Sequence, residues 1–270
     1  MANPFGTRIL GRTGLATGPL GISASYGIPA SAMEMAFERG MNYFYWGSFR
    51  RESFAQGLRN LRAHREKLIL VVQSYSRIAG LMGWSLDRAL SRIGFDYADV
   101  LLLGFWNHPV SPSILDAARE LQRRGHVRYL ALSSHDMPLL GTLAAGSPFD
   151  VLHFRYNAVL RSAEHQIFPH LAGTATPGMV AYTATSWKQL LHPHHTSPGD
   201  PVPTAGDCYR FVLSNPHVGV CMTGTADEAQ TRHALDAIER GPMSPGELAW
   251  MRRTGDNISG KPLLLPLSVR

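Results

Sequence analysis

Residues 42–46, Asn-Tyr-Phe-Tyr-Trp, form an apolar, aromatic run that stops at Gly47-Ser48 and gives way to the polar start Arg51-Glu52. A short uninterrupted run of this kind is the pattern of a strand buried on both faces, and the polar switch after it marks a loop and then a helix. The alternation recurs along the chain. Apolar runs at 18–23, 43–46, 68–72, 100–103, 128–132, 151–154, 179–182 and 218–222 predict strands. Between and after them, helical spacing at 31–39, 52–61, 83–93, 113–124, 138–145, 165–171, 207–213 and 226–239 predicts helices. Ser111 or Ser113 is placed to cap the fourth helix and Gly125 to stop it. A Gly-rich turn within 7–15 predicts a hairpin, and 244–252 an additional helix before a Pro/Leu-rich tail.

Eight strand–helix units with short connections predict an α/β fold: a (β/α)8 TIM barrel with an N-terminal β-hairpin and an extra C-terminal helix, residues 1–270 forming one domain. A doubly wound open sheet would need a Gly-rich fingerprint after its first strand, and Gly18-Pro19-Leu20-Gly21 is not one. Barrels keep their chemistry at the C-terminal strand ends, so the end of the 43–46 run is where functional side chains are expected.

Composition supports a large core: 44% of residues are hydrophobic and 17% charged. The net charge of +6 comes from scattered arginines with only short pairs such as Arg50-Arg51, so it points to no nucleic-acid surface. No run approaches a membrane span and the N-terminus has no apolar signal core, which predicts a cytoplasmic protein with a small-molecule partner, without nucleic acid or membrane. Cys208 and Cys221 lack metal-type spacing and read as buried thiols. His192-Pro193-His194-His195 has no completing ligands and reads as solvated loop.

Several short stretches then fall in a recognisable order. They are Leu10-Gly11-Arg12-Thr13-Gly14-Leu15, Gly40-Met41-Asn42-Tyr43-Phe44, Ile93-Gly94-Phe95-Asp96-Tyr97-Ala98-Asp99, and Gly125-His126-Val127-Arg128-Tyr129. Ser133, Tyr156-Asn157 and Ala181-Tyr182 complete the set. In this order the chain resembles the aldo-keto reductase family over nearly its whole length. The resemblance implies carbonyl reduction with NADP(H) or NAD(H) bound across the barrel mouth. It also implies an Asp, Tyr, Lys, His relay: Tyr protonates the developing alkoxide, Lys lowers the Tyr pKa, Asp pairs with Lys, and His orients the substrate oxygen.

Each of those four positions differs here. The Asp position is Tyr45, the Tyr falls at Phe49 or Arg50, the Lys at Gln73 or Ser74, and the His at Gly104. Among the three lysines, Lys67, Lys188 and Lys261, only Lys188 lies near a strand C-terminus. Tyr45 and His108 are therefore the candidate catalytic residues, with Tyr26 and Tyr75 as further phenols near the mouth. For the cofactor, the resemblance assigns the nicotinamide carboxamide to Ser133, Ser134 and His153 and ring stacking to Tyr182. It assigns the phosphate side to the turn at Gly224 and Thr225 and to Gln230. Trp46, Trp106 and Trp187 fall near strand ends and predict an aromatic pocket for a ring-bearing or hydrophobic substrate. Arg155, Tyr156, Asn157, Arg161 and Glu164 are expected to form a polar network below the mouth. The expected function is an atypical oxidoreductase; a lyase, dehydratase or cyclase using Tyr45 and His108, and a catalytically silent barrel, are the alternatives.

Overall fold

The computed structural model describes residues 4–47, 50–146, 148–173 and 175–259. A two-stranded antiparallel hairpin, β1 (Arg8–Ile9) and β2 (Ala16–Thr17), precedes the barrel. Eight parallel strands then close into a ring in chain order: β3 (Leu20–Ser23), β4 (Tyr43–Trp46), β5 (Ile69–Gln73), β6 (Ala98–Phe105), β7 (Val127–Ser134), β8 (Val151–Arg155), β9 (Gly178–Tyr182) and β10 (Val220–Thr223). The helices between them are α1 (Ala30–Glu38), α2 (Glu52–Asn60), α3 (Met82–Ile93), α4 (Pro112–Arg123), α5 (Met137–Ala145), α6 (Ala163–Gln166) and α7 (Ala205–Leu213). The helices α8 (Glu228–Glu239) and α9 (Pro245–Ser259) follow β10. This is the (β/α)8 barrel that the apolar rhythm predicts.

The strand side chains divide by parity. Tyr43, Ile69, Val71, Val100, Leu102, Ala131, Val151, Val180 and Val220 pack inside the ring, whereas Phe44, Leu70, Leu101, Leu132, Leu152 and Ala181 pack outward against the helices. The hairpin closes the N-terminal end: Leu10 is fully buried in the inner cluster, and the Tyr129 hydroxyl donates to the Thr13 carbonyl at 2.6 Å. Gly11, at φ +51°, lies where any Cβ would strike the Thr176–Gly178 backbone. With that end plugged, the C-terminal strand ends form the accessible mouth.

Two predicted elements differ from the structure. The segment 165–171 is not one helix but α6 followed by a 3-10 turn at Phe168–His170, because Pro169 cannot continue the helical hydrogen bonding. The helix predicted at 244–252 extends to Ser259, since its apolar face, with Met251 and Ile258 buried, continues past Arg252.

Candidate active site

Inward parity carries the top layer of the barrel to the mouth. It places Tyr45, Gln73, Ser133, Arg155 and Tyr182 above Tyr43, Val71, Ala131, His153 and Val180, the register being set by the Tyr45–Val71, Ser133–His153 and Arg155–Tyr182 pairings. Tyr45 donates its hydroxyl hydrogen to Gln73 Oε1. The Gln73 amide nitrogen lies 3.5 Å from where a Cβ of Gly104 would stand. Thus three of the four positions that the resemblance assigns to the relay converge, with a neutral hydroxyl–amide pair and an empty third place. Ser74, the alternative to Gln73, is turned away and buried, its Oγ accepting from the Ser76 N–H.

Phe49 lies outside the described residues. Arg50 is in place: Nη2 donates to the Gln73 carbonyl at 2.7 Å, and the guanidinium lies 4.9 Å from the Tyr75 ring and 5.7 Å from Trp46. Burial raises the Tyr75 pKa and the nearby Arg50 charge opposes that rise. A cation therefore stands beside the mouth, but it is an arginine whose proton is not transferable at ordinary pH. Sequence reading weighed Arg50 only as a replaced tyrosine; its cationic role became visible when the loop was folded back over Gln73.

His108 is exposed in the loop after β6, edge-on to Trp106 at 5.2 Å, with Nδ1 3.1 Å from its neighbour's carbonyl oxygen, that of Pro109. The structure thus brings Tyr45 to Gln73 but seats His108 on the outer rim. Among the expected pocket aromatics, Trp46 is buried outward against Phe54 and Trp106 is buried with its Nε1–H on the Leu103 carbonyl. Only Trp187 meets an inward-facing group, the Arg155 guanidinium, at 4.7 Å. Arg155 is accordingly not part of the predicted polar network. That network consists of the Tyr156 hydroxyl on Glu164 at 2.7 Å, Glu164 paired with Arg252, and Arg161 with Asp256.

The nicotinamide-side candidates are partly assembled. Ser133 Oγ donates to the Tyr182 hydroxyl at 3.3 Å, placing both on one wall of the mouth. Ser134 is buried and engaged, donating to Asn107 Oδ1 and accepting the Asp136 N–H, each at 3.0 Å. His153 is buried one layer down, with Nε2 2.8 Å from the Tyr43 hydroxyl, and burial lowers its pKa to about 3.

The phosphate-side candidates are more closed. A Cβ on Gly224 would meet the Tyr26 ring at 2.7 Å, so that ring lies on the turn. The Thr225 and Thr231 hydroxyls bond each other at 3.0 Å, and Gln230 Oε1 accepts the Ala226 N–H at 3.1 Å. Asp227 caps α8 through the Gln230 N–H at 2.7 Å, a carboxylate where a phosphate would need free donors. The Tyr182 and Ser133 wall thus offers an aromatic face and a hydroxyl toward the mouth, while the Gly224 turn is covered by the Tyr26 ring, which is itself 59% exposed.

Elsewhere, His195 is buried rather than solvated, packed on His194 at 3.8 Å between ring centroids. Among the described residues, no three His, Cys, Asp or Glu side chains gather as a metal site. Cys208 and Cys221 are buried, and burial raises both thiol pKa values. A groove of about 380 Å³ lined by Thr7, Asn42, Lys67 and Arg128 opens at the hairpin end, away from the mouth. Among the described residues, no helix is long and apolar enough to cross a membrane.

A closed parallel ring, plugged at one end by a hairpin and lined at the other by inward-facing polar side chains, defines a (β/α)8 barrel with its site at the strand C-termini. The Aldo/keto reductase family model matches residues 9–207, and the chain belongs to that family. The fold is similar to that of an aldo-keto reductase from Bacillus halodurans in its holo form. The TM-score is 0.76 and the identity 18%, with 92% of this chain and 95% of that one covered. It is also similar to an aldo-keto reductase from Klebsiella pneumoniae solved in complex with NADPH (TM-score 0.73, identity 20%, 92% and 94% covered). A Klebsiella pneumoniae aldo/keto reductase solved with NADP and acetate gives a TM-score of 0.71 at 20% identity, with 94% and 95% covered.

Proposed function

We propose that this protein is a nicotinamide-dependent oxidoreductase acting on a small ring-bearing or hydrophobic carbonyl or alcohol compound without the family's usual proton relay. The observation that carries this reading is the convergence of Ser133 and Tyr182 on one wall of the mouth with Tyr45 and Gln73 on the other. A bound nicotinamide would supply a hydride; Tyr182 would carry its ring and Ser133 its carboxamide. Tyr45 is the proton donor of the site, and the Gln73 amide N–H, facing the space left by Gly104, is the hydrogen-bond donor to the substrate oxygen. His108 reaches the same oxygen only if its loop folds inward. The arrangement selects neither NADP(H) nor NAD(H), since Arg232, the nearest cation, pairs with Glu228.

Titration of the protein with NADPH and NADH, followed by tryptophan fluorescence, tests the reading. Saturable binding is expected, weakened roughly two- to tenfold by Tyr182→Ala through loss of about 0.5–1.5 kcal/mol of ring contact. Absence of binding at millimolar nucleotide would remove the cofactor from the proposal. A non-redox enzyme is the second reading, favoured by the Tyr26 ring over Gly224 and the Asp227 cap. Its machinery is Tyr45 with His108, so unchanged turnover in the Tyr45→Phe, His108→Ala double variant would dispose of it.

A further inference from the structure

The most buried arginines of this barrel have carboxylate partners, whereas two half-buried arginines at the mouth have none among the described residues. Arg65 pairs with Asp99 at 2.8 Å, although its Nε is also buried without an acceptor, and Arg210 pairs with Glu247 at 2.6 Å. Arg155, ending β8 with inward parity, forms no ion pair among the described residues, and its buried Nε has no acceptor. A guanidinium partly withdrawn from water with an unused N–H is costly, and such groups are normally satisfied. Arg50 stands on the loop after β4, four strands away in the ring of eight and therefore on the opposite rim. It also has a buried Nε without an acceptor and no carboxylate partner among the described residues.

The surroundings leave both charges uncompensated. No inward-facing residue of the eight barrel strands is Asp or Glu. His135 is held neutral at neutral pH, with burial and then the Arg155 charge lowering its pKa to about 4. The Arg155 guanidinium carbon lies over the Trp187 ring, 4.7 Å from its centroid, and a ring contact of this kind consumes none of the guanidinium N–H donors. The backbone holding that ring is strained: Thr183, Ser186, Trp187 and Lys188 all have φ between +49° and +69°. Non-glycine residues adopt that region at a cost and persist there where the surrounding structure dictates them.

We propose that the mouth binds a carboxylate-bearing small molecule, its planar carboxylate seated on the Arg155 edge beside Trp187 and Tyr182, with Arg50 attracting the anion from the opposite rim. A planar monoanion matches one guanidinium fork in shape and charge. The aromatic or apolar body of the ligand lies toward Tyr45. The inference rests on the mouth being the substrate site, as in the proposed function, and is independent of whether a nicotinamide binds.

Calorimetric titration of the full chain at low ionic strength with benzoate, the neutral isostere benzamide and inorganic phosphate tests it. Benzoate is expected to bind at least tenfold more tightly than benzamide. Arg155→Met should cost benzoate tenfold or more, about 1.4 kcal/mol, and leave benzamide unchanged, while Arg155→Lys recovers part of the loss. Equal affinity for benzoate and benzamide, or full benzoate affinity in Arg155→Met, would overturn the proposal. Phosphate binding as tightly as benzoate would overturn the carboxylate assignment. If Arg155→Met does not fold by circular dichroism, the benzoate-to-benzamide ratio in the wild type and in Arg155→Lys decides. A parallel NADPH titration separates the two readings: benzoate bound without NADPH binding refutes only the cofactor, and the converse refutes only the carboxylate site.

Discussion

Asp99 accepts the Leu70 N–H at 2.9 Å, Arg65 Nη1 at 2.8 Å and Arg128 Nη1 at 3.1 Å while only 1% exposed. One carboxylate thus joins β5, β6 and β7 at the closed end of the barrel. In Asp99→Asn the amide cannot offset Arg65 in its largely buried site, and breaking a buried ion pair costs about 3–5 kcal/mol. A drop of that size in urea-unfolding free energy is expected; a loss below about 1 kcal/mol would show that Arg65 finds other partners. At the mouth, the Tyr45–Gln73 pair stands where the resemblance puts part of the family's relay, and Gln73→Leu tests its role in the proposed function. The prediction is loss of turnover with the fold intact, because the inward amide contacts Tyr45 and the space beside Gly104 rather than the core. Retained turnover would remove Gln73 from the proposed function. Tyr45 and Gln73 could be assigned to the mouth from strand parity alone, whereas their mutual contact could not, because it depends on the distance between β4 and β5 at a particular register.

At the scale of elements, the loop after β9 shows how tertiary packing overrides local preference. Lys188 has φ +69° and ψ 0° and an exposed side chain, so a glycine there is released from left-handed strain of about 1–2 kcal/mol while losing about 0.5–1 kcal/mol to unfolded-state entropy. Lys188→Gly is expected to raise stability by roughly 0.5 kcal/mol, read as a small rise in thermal midpoint; a fall would place the Lys188 side chain in an interaction of its own. The helix α9 packs closely enough that a Cβ at Gly255 would strike the Ala158 carbonyl. Gly255→Ala should therefore loosen α9 and lower the midpoint, although alanine normally favours helix. Strand and helix positions were readable because each element repeats its own period. The shortened α6 and the extended α9 were not, since a proline and a distant docking surface set their ends.

For the whole molecule, the buried His153 makes stability depend on pH. Its pKa is about 3 in the fold against an ordinary value near 6.5, so below pH 6.5 the unfolded chain binds a proton that the native one refuses. The contribution is fully present above pH 6.5 and is lost as pH falls toward the folded value, at up to about 1.4 kcal/mol per pH unit. His153→Gln keeps a partner for the Tyr43 hydroxyl without a titrating group. Denaturant midpoints from pH 7 to pH 4 should fall less steeply in that variant than in the wild type, and equal slopes would show that His153 is not the group responsible. The same inward position that buries His153 was read from sequence as part of a carboxamide site; its bond to Tyr43, on the opposite side of the ring, became visible only on closure.

By itself the sequence determined the barrel, because periodic burial is a local property that each strand and helix states separately, and through the resemblance it put Tyr45, Gln73 or Ser74, and Gly104 forward at the relay positions. The tertiary structure alone decided which polar groups meet. Tyr45 faces Gln73, Tyr26 covers the Gly224 turn, and Arg155 meets the Trp187 ring and, among the described residues, no acid. Closure of the ring sets those meetings, bringing side chains more than a hundred residues apart to within hydrogen-bond distance, as with Tyr43 and His153. Charge and hydrogen-bond satisfaction depend on such distances, and periodicity along the chain carries no record of them.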